Sequence, residues 1–123
     1  MKKFKWIVFL VYFFVALGAY ANEVVFDCVY HQYADSTGMK NFNSPFKLKI
    51  KWDEDGGKAY LHRNNQVTKL RVSNSADFVS FVDLSGHGRV RTTSIAKSSG
   101  RSVFSLNQYG LSQQAYGSCN FAR

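Results

Sequence analysis

From Phe46 to Trp52 the chain reads Phe-Lys-Leu-Lys-Ile-Lys-Trp. Apolar and charged residues alternate with a period of two, and an extended strand sends successive side chains to opposite faces. Phe46, Leu48, Ile50 and Trp52 therefore form a face to bury, while Lys47, Lys49 and Lys51 form one for water. Weaker versions of this pattern run on to the C-terminus. Strands are predicted over residues 23–33, 46–52, 58–63, 66–73, 78–84, 89–97, 102–108 and 111–121. Ala59, Leu61, Leu70, Val72, Phe104 and Leu106 are expected to point inward. Turn-forming residues separate the strands: a loop through Asp35-Ser36-Thr37-Gly38, then Asp53-Glu54-Asp55-Gly56-Gly57, Asn64-Asn65, Asn74-Ser75-Ala76, Ser85-Gly86-His87-Gly88, Ser98-Ser99-Gly100 and Tyr109-Gly110.

The first 21 residues differ from the rest. Met1-Lys2-Lys3-Phe4-Lys5 is a basic head, residues 6–17 are an uncharged apolar run, and Ala19-Tyr20-Ala21 sets small residues where a signal peptidase cuts. This is the layout of a secretory signal peptide, with one β domain expected over 22–123. The run of 12 residues is short for a bilayer span, which takes roughly 20; a retained anchor is the alternative. The mature part has no second apolar run long enough to span, so no stable membrane insertion is expected of it. The chain also has no Asn-x-Ser/Thr acceptor. A bacterial periplasmic or secreted protein fits these features. The charge of +8 falls to +5 without the leader, since thirteen basic residues then face eight acidic ones.

The mature part holds two cysteines, Cys28 and Cys119. In an exported protein a pair near the two ends reads as one disulfide, closing a loop of about 90 residues. A metal or redox pair is the rival, but no Cys-x-x-Cys is present. Eight strands joined by short links form an antiparallel meander. A bond between the first and last strands closes that meander into a small barrel, complete or nearly so; a two-sheet sandwich is the alternative.

Ala59-Tyr60-Leu61, Asn64-Asn65-Gln66-Val67, Arg89-Val90-Arg91-Thr92-Thr93-Ser94-Ile95, Gly100-Arg101-Ser102-Val103-Phe104-Ser105 and Gln114-Ala115-Tyr116-Gly117-Ser118-Cys119 follow one another in a familiar order. This order resembles a group of small exported bacterial proteins of uncharacterised function with a Thr-Thr-x-Ile…Tyr-Gly-x-Cys pattern. The resemblance covers roughly residues 57–119, and Cys28 matches the group's N-terminal cysteine. Where the group has a His-Ser-Arg-His-Thr block, this chain has Phe104-Ser105-Leu106-Asn107-Gln108, without either histidine. The resemblance implies export and supplies no biochemistry. A second similarity, of layout alone, is to periplasmic lysozyme inhibitors, whose inhibitory motif does not align here.

Candidate chemistry is sparse. His31, His62 and His87 lie on separate segments with no metal-ligand spacing. Asp53-Glu54-Asp55 opens no calcium loop, because the twelfth position is Asn64. Asp83, Ser85 and His87 are close in sequence but lack a nucleophile elbow. No cofactor, no metal and no catalysis are expected. Lys47, Lys49, Lys51, Lys69, Arg71, Arg89, Arg91 and Arg101 are on or beside strands, and if the sheet order is the chain order several of them share an outer basic face. That face is a solvated surface or a dock for an anionic envelope component. Nucleic acid is not expected as a partner, since no RNA-binding aromatic motif is present. Of the aromatics Tyr30, Tyr33, Phe42, Tyr60, Tyr109 and Tyr116, those beside Arg89 or Arg91 would make a recognition surface. Tyr109 and Tyr116, with Lys47, Lys49, Lys51, Arg89 and Arg91, are the candidate binding residues.

These features point first to an exported binding module for a protein partner, inhibitor-like or immunity-like, with a filled interior. The alternative is a lipocalin-like carrier of a small apolar ligand, which requires a cavity. Phe26, Phe46, Trp52, Phe78, Phe81 and Phe104 are large enough to fill one.

Overall fold

The computed structural model describes residues 23–122; the expected signal peptide lies outside them. The elements, in chain order, are β1 (Glu23–Asp35), β2 (Gly38–Asp53), β3 (Lys58–Arg63), β4 (Gln66–Asn74), β5 (Phe78–Asp83), β6 (Arg89–Ala96), β7 (Arg101–Gln108) and β8 (Leu111–Ala122). Each strand pairs with the next, β8 returns to β1, and all the pairings are antiparallel in one closed barrel. The sandwich alternative is excluded. Closure leaves no strand with an unpaired ladder.

Local chemistry sets the hairpins. Asn64 and Asn65 both take positive φ, 50° and 63°, the conformation of a two-residue turn whose twist matches its flanking strands. The expected loop at 35–38 tightens into a hairpin. Asp35 Oδ1 accepts the Thr37 backbone N–H at 2.8 Å and its hydroxyl at 2.6 Å. Those two donors hold the Asp35 carboxyl below its ordinary pKa, with a smaller lowering from Lys40. As a result β1 and β2 run longer than predicted, and β2 begins at Gly38 rather than Phe46.

The seam between first and last strands carries the disulfide. Cys28 and Cys119 are direct ladder partners with alpha carbons 4.0 Å apart. Beside them, Gly117 faces Tyr30. A β-carbon at Gly117 would collide with the Val29 carbonyl oxygen and the Tyr30 Cα, so the closing strand needs glycine at this crossing.

The middle of the barrel is filled. Phe26, Trp52 and Phe81 pack ring against ring at 5.7–6.4 Å. Ile50, Val79 and Ile95 are fully buried around them. Tyr30 has no exposed surface, and its hydroxyl meets Ser102 Oγ at 2.7 Å. Phe78 is not part of this filling, contrary to the sequence expectation. It is 54% exposed, because β5 turns Val79, Phe81 and Asp83 inward and so turns Phe78 out.

Tyr30 yields a pH prediction. Burial pushes its hydroxyl up to about 12, against a smaller lowering by the Ser102 hydrogen bond. In the unfolded chain the phenol ionises near pH 10, so between those values the unfolded state sheds a proton that the folded state keeps. Stability from this group is complete below pH 10 and is lost as pH climbs towards 12, a fall on the order of 2 kcal/mol. Urea unfolding across this range should show the fall in the parent and lose that portion in Tyr30→Phe. Equal losses in the two proteins would refute it.

Candidate functional site

A meander sends alternate hairpins to alternate ends. The β1–β2, β3–β4, β5–β6 and β7–β8 hairpins therefore ring one end of the barrel. At this end the filling stops, and a cavity of about 470 Å³ opens to solvent. The opposite end holds a smaller hollow of about 180 Å³ beside Val24, Phe26, Trp52 and Phe121.

The aromatic wall of the larger cavity follows from an interruption in the sheet. Register shifts after Tyr30: Tyr30 pairs with Phe46, but Gln32 pairs with Asn41. Residues 42–45 stand against the single His31, and Pro45 among them has no N–H to give to a ladder. On the other side β1 itself carries one extra residue, His31, against β8. The interruption brings the Phe42 ring to 4.7 Å from Tyr33 and 6.1 Å from Phe46. Phe46 in turn lies 5.3 Å from Phe104. Leu106 completes this apolar wall, and Asn41, Asn43, Gln113 and Gln114 add amide groups.

Two arginines converge on the cavity. Arg63 continues the inward face of β3 after Ala59 and Leu61. Its guanidinium carbon stands 4.3 Å from the Phe46 ring centroid, a cation–π contact. Among the described residues no carboxylate stands within ion-pair distance of Arg63. Desolvation, and next the charge of Arg91, lower its pKa. Arg91 continues the inward face of β6 from Ile95 and Thr93. Its Nη1 lies 3.7 Å from Asp83 Oδ2, and Asp83 is its ladder partner. Asp83 is buried, and its Oδ1 accepts the Ser85 backbone N–H at 2.8 Å and hydroxyl at 2.6 Å. The β5–β6 hairpin thus fixes Asp83, and Asp83 fixes Arg91.

The rim is apolar. Among the described residues, six of the eight large hydrophobics with exposed side chains are Met39, Val67, Leu84, Val90, Tyr109 and Leu111. All six lie on or beside the four hairpins of this end.

The residues singled out in the sequence separate into several places. Cys28 and Cys119 form the seam. Lys47, Lys49 and Lys51 stand on the outer wall as expected, with Lys49 3.7 Å from Asp27. Through the ladder Lys51 meets Tyr60, and Tyr60 meets Lys69, so the basic outer face spans β2 to β4. Arg91 does not belong to that face: strand parity turns it inward to Asp83. Arg89, two residues before it, is exposed at the rim and not on the outer wall. Tyr109 is 75% exposed, and its hydroxyl donates to the His87 carbonyl at 3.2 Å. It therefore sits on the β5–β6 turn, which Arg89 follows. Tyr116 is elsewhere, on the outside of β8, donating to Gln114 Oε1 at 2.8 Å. Arg63 was missed as a site residue. Its signal was present, since it stands two positions after the inward Leu61.

Ser85 Oγ donates to Asp83 rather than to His87, which leaves Asp83, Ser85 and His87 without a nucleophile–base pair. Among the described residues no three His, Cys, Asp or Glu side chains gather as a metal site. No protein-family model matches the chain, and neither a curated protein nor a solved structure matches it.

Proposed function

We propose that this chain is an exported, non-catalytic binding module whose hairpin-end mouth holds a small ligand with an apolar body. The observation that carries this reading is the cavity of about 470 Å³, walled by aromatic side chains, at one end of a barrel whose middle is filled. Small-molecule sites commonly enclose about 300–1,000 Å³ and combine apolar walls with a few polar groups. A module acting only through its outer surface has no use for such a hollow. The cavity therefore puts the carrier ahead of the protein-binding module. Export rests on the leader-like residues 1–21 and on the Cys28–Cys119 disulfide, a bond characteristic of oxidising compartments. In this reading the outer lysines form a solvated face that keeps the carrier soluble.

Native mass spectrometry of protein recovered from the periplasm tests the proposal. The expected spectrum shows a chain starting at Asn22 with one disulfide and extra mass that leaves on denaturation. A bare chain that gains no mass when lipid extract is added contradicts the carrier. A full-length chain in the membrane fraction contradicts the export.

The apolar rim supports a second reading, a protein partner clasping the same end. A photo-crosslinker at Leu111 would then give a discrete adduct in the exporting cell, and one at Phe78, at the other end, would not. Equal labelling from both positions contradicts a rim interface.

A further inference from the structure

We propose that the mouth selects a monoanionic amphiphile, a carboxylate on an aliphatic or aromatic body, with Arg63 as the group that anchors the carboxylate. The inference rests on the carrier reading and names its ligand class.

Charge in the cavity sets the sign. Arg63 and Arg91 contribute two positive charges, and Asp83 returns one negative charge through its ion pair with Arg91. One positive charge is in excess, and it belongs to Arg63, which has no carboxylate within ion-pair distance among the described residues. A monoanion matches that excess. A dianion would bring one negative charge more than the side chains lining the cavity leave uncompensated.

The guanidinium sets the head group. Its fork of N–H donors fits the two oxygens of a carboxylate. The Arg63 guanidinium carbon stands 4.3 Å from the Phe46 ring centroid, so this contact already positions its side chain before any ligand arrives. Desolvation and, next, the charge of Arg91 lower the Arg63 pKa, and a bound anion offsets both by favouring the charged guanidinium. The wall sets the tail. Tyr33, Phe42, Phe46, Phe104 and Leu106 line the same cavity as the arginines with apolar surface, and Asn41, Asn43, Gln113 and Gln114 add amides. A small inorganic anion would leave that surface wet, and a neutral hydrocarbon would leave Arg63 without a partner while stripping its water.

Octanoate, octanol and octyl phosphate test this by calorimetric titration against protein exported and recovered with its disulfide formed. Octanoate is expected to bind at least about tenfold more tightly than octanol, and added salt should narrow the gap. In Arg63→Gln the preference should vanish while octanol binding persists. That persistence also shows that the variant is folded. Equal binding of octanoate and octanol by the parent refutes the anion selection and leaves the carrier intact. Tighter binding of octyl phosphate refutes the monoanion. Unchanged octanoate binding in Arg63→Gln refutes the anchor. If none of the three probes binds, the carrier reading falls together with this inference.

Discussion

Replacing Cys28 and Cys119 together by alanine lowers the unfolding free energy by about 4 kcal/mol. The bond joins residues 91 positions apart, so it removes much of the entropy that the unfolded chain would otherwise have. The folded barrel supplies the reason for its position. Cys28 and Cys119 are ladder partners on the closing seam, and both point into the core at 1% and 4% exposure. In an unlinked chain, closure would have to bring the first and last strands together from the ends of the sequence, the slowest kind of contact to form. Small domains hold only about 5–15 kcal/mol in total. The double variant should therefore unfold at much lower urea than the parent, and it should refold more slowly. A loss under about 1 kcal/mol would mean that the seam ladder holds the barrel without the bond.

Phe81→Ala costs about 3–5 kcal/mol. Phe81 is 1% exposed and meets Phe26 at 5.7 Å and Trp52 edge-on at 5.8 Å. Truncation removes the ring from the centre of a packed barrel whose backbone is closed and cannot collapse around the gap. Phe46→Ala removes an equal volume from the cavity wall, where the ring already borders water. It should cost less than half as much. Parallel urea unfolding of the two variants checks the contrast. Equal losses would mean that the hairpin end is packed as tightly as the middle.

That division between filled middle and hollow end was only partly legible in the sequence. The strand at Phe46–Trp52 could be oriented because its lysines leave one face for the core. The turns could be found because Asn64-Asn65 and the glycine-bearing links accept backbone that other residues resist. The strand at 78–84 could not be oriented locally. Phe78 and Val82 lie on one face of it, Val79 and Phe81 on the other, and the buried face also holds Asp83. Local apolarity argues for the wrong side, and only the Arg91 opposite Asp83 across the hairpin reverses it. The strand Arg89–Ala96 gave the same difficulty. Its threonines and serine carry little apolar signal, so Arg91 reads as a surface cation until its register is known.

The aromatic wall was harder still to anticipate. Tyr33 and Phe42 were recognisable as aromatics of uncertain placement, but what unites them is the irregular pairing around His31 and residues 42–45. Period-two reading fails at such an interruption, because each extra residue exchanges the two faces. The departure from regular sheet is also what lines the cavity. The irregular part of the fold and the candidate site thus coincide.

In the proposed carrier the mouth, not the basic outer wall, receives the ligand. Amide chemical-shift mapping with octanoate tests this most directly. Shifts are expected to cluster at Tyr33, Phe42, Arg63, Arg91, Leu106 and Gln113, with Lys47, Lys49 and Lys51 unmoved. Shifts centred on those three lysines would contradict it and return the site to the outer face of β2.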